Sequence, residues 1–165
     1  MSKTLVAYFS ATGVTKSVAK DLSSVLKSDI YEIKPEVPYT NADLNWMDRE
    51  SRSTLEMNDK SSRPDIIKDD ISIDKYDTIF LGFPIWWYVA PTVINSFLES
   101  YNFSNKKIIL FATSGGSGFG GTKEYLKRSV SASTEILEGK ILNYKPSKKE
   151  IKDWLTSLDS FVIQK

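Results

Sequence analysis

After a short polar start the chain runs through five consecutive apolar residues, Leu5 to Phe9, and then changes period. Val14, Val18, Leu22, Val25 and Leu26 recur at helical spacing and mark one face of an amphipathic helix. The alternation continues. Ile30-Tyr31-Glu32-Ile33 is a short alternating strand, stopped by Pro35 and Pro38. Thr78 to Phe83 and Ile108 to Ala112 are continuous apolar runs, the signature of strands buried on both faces. Thr134 to Leu137 is a weaker fifth strand. Between them lie a helical face at Val93, Ile94, Phe97, Leu98 and Tyr101, a second helix at about 122–130, and a final one through Ile151, Trp154, Leu155, Leu158 and Val162. Buried strands alternating with helices predict one α/β domain over residues 1–165. Its core is a doubly wound five-stranded parallel sheet, order 2-1-3-4-5, with helices on both faces. Residues 39–74 break the alternation, being polar with a weak helical pattern from Ala42 to Met57. We read them as a solvated surface excursion, with a substrate lid or partner surface as the alternative.

In that strand order three loops share the carboxyl edge of the sheet, where ligands of such folds bind. The first is Ser10-Ala11-Thr12-Gly13-Val14-Thr15, between strand 1 and helix 1. A helix N-terminus presents unpaired N–H groups and partial positive charge. Ser10, Thr12 and Thr15 add hydroxyl donors, and Gly13 allows close approach, so the loop suits a phosphate. An ordinary capped helix is the competing reading. Thr15 stands where the ATP-binding glycine–lysine loop needs its second glycine, which argues against an NTPase. The second loop, Pro84 to Pro91, holds Trp86, Trp87 and Tyr88 in succession. Three adjacent aromatics cannot all face one core, so some meet the surface or a flat ligand. Each of these residues carries a Cβ, so the loop is expected to stay out of positive φ and to offer a backbone N–H near Trp86 or Trp87. The third loop, Thr113 to Gly121, is glycine-rich. It contains a dinucleotide-like spacing at Gly116, Gly118 and Gly121, but after the fourth strand rather than the first, which is the wrong context for that site.

Composition narrows the chemistry. The chain has 165 residues, 41% hydrophobic and 26% charged, within the ordinary globular range. Net charge is +1, so nothing draws it toward nucleic acid or an anionic membrane. It has no cysteine and no histidine, which removes disulfides, thiolate nucleophiles, the Ser-His-Asp arrangement and the usual zinc sites. No catalytic side chain or metal set stands out, and an enzyme so composed would take its chemistry from a cofactor. No apolar span reaches transmembrane length, and the run at residues 5–9 is too short for a signal-peptide core. A cytoplasmic protein without membrane insertion is the expectation.

One phosphate cradle, one aromatic loop and one glycine-rich loop at a single edge suit a mononucleotide with a planar ring. Here the chain resembles the flavodoxin family, almost end to end. Residues 10–15 match the family's phosphate loop, Ser/Thr-x-Thr-Gly-x-Thr. Residues 82–87, residues 113–118, and Tyr39, Asp43, Trp46, Arg49, Glu50 and Arg63-Pro64 resemble a bacterial subgroup with a long insert before strand 3. The resemblance implies a flavodoxin-like fold, non-covalent FMN and electron transfer to a redox partner protein. The alternative is an FMN-dependent NAD(P)H oxidoreductase acting on a small acceptor such as a quinone or nitro compound. By the resemblance, Ser10, Thr12, Gly13, Val14 and Thr15 hold the phosphate, and Pro84, Ile85, Trp86 and Trp87 line the isoalloxazine. Ser114, Gly115, Gly116, Ser117 and Phe119 close the other edge. Two departures weigh against pure one-electron shuttling: the chain lacks the acidity typical of carriers, and its loop after strand 3 has no glycine whose peptide could flip.

Overall fold

The computed structural model describes residues 3–114, 116–142 and 146–163, with side chains as far as residue 158. Five parallel strands form the sheet: β1 (Thr4–Tyr8), β2 (Asp29–Glu32), β3 (Thr78–Pro84), β4 (Lys107–Thr113) and β5 (Glu135–Ile141). Their order is β2-β1-β3-β4-β5, as the strand–helix alternation predicts. Successive side chains of a strand point to opposite faces, and the apolar runs exploit this. Leu5, Ala7, Ile79, Leu81, Phe83, Ile108 and Leu110 fill the core of one face. Val6, Tyr8, Phe80, Ile109 and Phe111 fill that of the other. A run apolar at every position therefore needs cover on both sides. Helices α1 (Val14–Leu26) and α5 (Lys148–Ile163) bring Val18, Leu22, Ile151 and Trp154 to the second core. Helices α3 (Thr92–Ser100) and α4 (Thr122–Leu126) bring Val93, Ile94, Phe97 and Leu126 to the first. Gly82 leaves room on its face for the Phe111 ring, which a Cβ there would strike.

Boundaries differ from expectation in three places. Strand β5 runs to Ile141, well beyond Leu137. The helix expected at 122–130 is α-helical only to Leu126 and ends in a 3-10 turn, Lys127–Ser129. The weak pattern over 42–57 yields a helix, α2, only at Arg52–Asn58. The polar residues before it hold the backbone in turns instead. The Asn45 and Asp48 carboxamide and carboxylate oxygens accept from the N–H groups of Met47 and Glu50. Such two-residue loops compete with helical bonding. Ser51 then caps α2, its Oγ accepting from the Thr54 N–H at 3.4 Å.

Candidate functional site

Between β1 and α1 the chain turns through Gly13, the residue before the helix, at φ 98°. That left-handed conformation is cheap only for glycine, and a Cβ there would meet nothing within 4 Å. The Gly13 N–H donates to Ser10 Oγ at 3.0 Å, which shapes the loop and leaves the Ser10 proton for an outside acceptor. The N–H groups of Val14, Thr15 and Lys16 find no acceptor among the described residues. The Thr12 side chain is exposed at the same turn. Thr15 is buried instead, and its Oγ1 lies 2.7 Å from Thr113 Oγ1 at the end of β4. That bond fastens the first loop to the third.

The second loop departs from expectation. Trp87 and Tyr88 both take positive φ, 50° and 68°. The Trp86 N–H donates to the Val89 carbonyl at 2.9 Å, and the Val89 N–H donates back to Trp86 at 3.1 Å. A reversal closed after two residues demands positive φ at both central positions, and closure here overrides the side-chain preference. Each non-glycine residue so held costs about 1–2 kcal/mol. Gly120, at φ 55°, comes so close that a Cβ would strike the Tyr88 carbonyl oxygen. The turn also takes the Trp86 N–H out of play, so the expectation of a free N–H near Trp86 or Trp87 narrows to Trp87. The three aromatics separate in role. Trp86 packs edge-on against Phe9 and Tyr39, centroids 5.8 and 5.4 Å away. Trp87 and Tyr88 stay 42% and 70% exposed.

In the third loop Ser114 Oγ accepts from the N–H groups of Gly116 and Ser117 at 3.1 and 2.8 Å. This draws the loop into a tight turn at the sheet edge. Gly115 lies outside the described residues. Phe119 is 8% exposed and belongs to the first core, beneath the loop.

The three loops border one cavity of about 820 Å³. Of the residues singled out from the sequence, Thr12, Val14, Pro84, Ile85, Trp86 and Trp87 line it, with Ser114, Gly116 and Ser117. Ser10, Gly13 and Thr15 shape the first loop without lining the cavity, and Phe119 supports the third from the core.

The insert completes the wall. Leu44, Trp46 and Ser53 also line the cavity, so over its first half the insert is not a solvated excursion. Tyr39 clamps it in place. Its ring meets Phe9 and Trp86, and the Arg52 guanidinium lies 3.9 Å above it. Its hydroxyl donates to Glu56 Oε1, while Glu56 Oε2 accepts from Arg52 Nε at 3.0 Å. Burial, and then the neighbouring Glu56 carboxylate, push the Tyr39 phenol far above its ordinary range. Ser53 is 2% exposed and its Oγ has no partner among the described residues. A buried hydroxyl left so costs about 1–3 kcal/mol. Two large apolar residues, Trp46 and Met47, within a polar stretch were the sequence signal for this wall.

Comparison with known proteins meets this geometry. The family model described as Flavodoxin matches residues 3–158. The chain belongs to the flavodoxin family. No curated protein sequence matches it significantly. Among solved structures, this flavodoxin-family chain is similar to a protein from Bacteroides eggerthii DSM 20697 that carries a provisional flavoprotein description. The two are 44% identical with a TM-score of 0.88, over 95% of this chain and 98% of that one. A protein of the same description from Bacteroides uniformis ATCC 8492 is also 44% identical, TM-score 0.88, over 94% and 98%. A flavoprotein solved in complex with FMN, from Lactobacillus acidophilus NCFM, shares the fold at TM-score 0.69 and 22% identity, over 94% and 99%. No helix among the described residues is long and apolar enough to cross a membrane.

Proposed function

We propose that the cavity holds FMN non-covalently and that the protein is a redox protein transferring electrons through it. The observation that carries this reading is the cradle at the start of α1. Three adjacent N–H groups, those of Val14, Thr15 and Lys16, are unpartnered there, beside the Ser10 and Thr12 hydroxyls and at the positive end of a 13-residue helix. Among the described residues no lining residue of the cavity carries a charge, so the helix end is what a phosphate would meet. The rest of the wall suits a flat conjugated ring, since Trp87 and Tyr88 line the same cavity as Ser114, Gly116 and Ser117. Family membership and the Lactobacillus acidophilus FMN complex support the same cofactor. When bound, the flavin supplies the electron storage that a chain without histidine or cysteine lacks. The protein's part is to hold the phosphate, sandwich the ring and exclude water.

A second reading, direct reduction of a small acceptor with a nicotinamide donor, draws on the insert. Its Leu44, Trp46 and Ser53 extend the cavity wall beyond the three loops.

Titration of the purified protein with FMN and FAD, followed by flavin fluorescence, tests the first reading. One phosphate cradle predicts tight FMN binding and weaker FAD binding. Equal or tighter FAD binding overturns it.

A further inference from the structure

We propose that Tyr39, which does not line the cavity, is a positioning residue for the flavin. It holds Trp86 on the wall and the first half of the insert against the sheet, so that insert docking and ring binding are one coupled equilibrium. The proposal rests on the flavin reading and concerns how that site is regulated.

The two halves of the insert are held differently. The second is tied to α3 and α4 by polar bonds. Ser62 Oγ lies 2.8 Å from Thr92 Oγ1, Arg63 Nε donates to Glu99 at 3.0 Å and Tyr125 Oη donates to the Lys60 carbonyl at 2.6 Å. Residues 40–58 have no such ties. Among the described residues their hydrogen bonds and ion pairs all end within 37–62. Of the described hydrophobic residues from 39 to 58, Tyr39 is the one packed against the first core.

Tyr39, Phe9 and Trp86 form a triangle of rings, each pair meeting edge to face with centroids 5.4–5.8 Å apart. Phe9 is its fixed corner, fully buried, with its N–H donating to the Gly82 carbonyl in the sheet. Trp86 lies on a loop and lines the cavity, so its indole takes its placement from Phe9 and Tyr39. Tyr39 is locked in turn from the insert's side. The Arg52 guanidinium covers its ring, and Glu56 accepts from both its hydroxyl and Arg52 Nε. One side chain thus joins the placement of a wall residue to the docking of α2. Such coupling is reciprocal: if the docked insert favours the ring, the ring favours the docked insert by the same factor. The phosphate cradle stands apart, because Tyr39 has no hydrogen bond or ring contact to residues 10–16 among the described residues.

The test uses the full chain with FMN and with riboflavin, which carries the same ring without the phosphate. Dissociation constants come from flavin fluorescence, and calorimetry gives the Tm of each variant. Tyr39→Leu should weaken FMN and riboflavin by the same factor, about three- to tenfold. Tyr39→Phe, which keeps the ring and loses only the bond to Glu56, should stay within about twofold of wild type. Trypsin cleavage after Arg49, exposed on the insert, reads local opening of that half. Saturating FMN should slow this cleavage in the wild-type chain by about the same three- to tenfold and leave it unchanged in Tyr39→Leu. A Tyr39→Leu chain that melts lower but binds both flavins like wild type has lost only structure, and overturns the proposal. So does a loss confined to FMN, which would lie at the phosphate, an equal loss in Tyr39→Phe, or protection of Arg49 that survives Tyr39→Leu. The wild-type measurement decides even if Tyr39→Leu does not fold, because Arg49 cleaved equally fast with and without FMN overturns the coupling. Riboflavin that does not bind the wild-type chain overturns it too, since the ring wall would then hold nothing. Wild-type protein that takes up no FMN overturns the flavin reading and this proposal with it, whereas tight FMN binding with Arg49 unprotected overturns this proposal alone.

Discussion

Single side chains at the start of α1 divide between shaping the loop and meeting the ligand. Thr15 is spent on Thr113, and Ser10 accepts from Gly13, so the exposed Thr12 hydroxyl is the freest donor of the three. A hydrogen bond to a charged group contributes about 1.5–3 kcal/mol. Thr12→Ala should therefore weaken FMN binding roughly ten- to hundredfold in a fluorescence titration. Lys16 contributes its backbone N–H to the cradle, and its side chain is not among the cavity's lining residues. Lys16→Ala keeps that N–H, and its effect should be the smaller. A larger loss from Lys16→Ala would mean that the phosphate is held by a cation and not by the helix end.

Among the elements, the 84–91 loop is where local preference and tertiary demand collide. Two bulky residues sit at positive φ, held by the Trp86–Val89 hydrogen bonds and by Gly120 against Tyr88. Tyr88 is 70% exposed, so removing its side chain loses little burial. Tyr88→Gly should relieve strain and raise the stability of the flavin-free protein by about 1 kcal/mol, a rise of about 2–4 °C in Tm by calorimetry. The same change should weaken FMN binding, since Tyr88 lines the cavity. Strain retained at a site because function uses it has this signature. Unchanged or lower stability would show that the turn is not strained.

At the scale of the whole molecule, buried tyrosines set the alkaline limit. Tyr8, 3% exposed, has its phenol pushed up to about 12, chiefly by burial and then by Glu32. Tyr76 is also pushed up to about 12, by burial and then by Asp29. Tyr31 and Tyr39 are raised further. A raised folded-state value means that the unfolded chain releases these protons first, from its ordinary 10.0 upward. Their contribution is thus complete below pH 10 and is lost as pH rises toward 12. Urea unfolding midpoints should fall steeply above pH 10 and stay level between pH 7 and 9. Tyr8→Phe, which keeps the ring, should flatten the alkaline fall. An unchanged slope in that variant would place the effect elsewhere.

The strands of the sheet and the glycine turn at the start of α1 were legible in the chain because both are local. Continuous apolar runs at residues 5–9, 78–83 and 108–112 have meaning only as strands covered on both faces, and the two observed cores divide those runs residue by residue. A strand ending in hydroxyls and Gly13 before an amphipathic helix exposes its N–H groups wherever it is placed. The insert and the aromatic loop were not legible, because nothing local decides them. Trp46 and Ser53 reach the cavity only because Tyr39 docks on Phe9 and Trp86, residues distant in sequence that the sheet brings together. The left-handed turn at Trp87 and Tyr88 runs against intrinsic preference and exists because closing Trp86 onto Val89 beside Gly120 outweighs it. Periodicity and turn chemistry specify what a segment can become; contacts between segments decide which face meets the ligand, since only they weigh one segment's strain against another's packing.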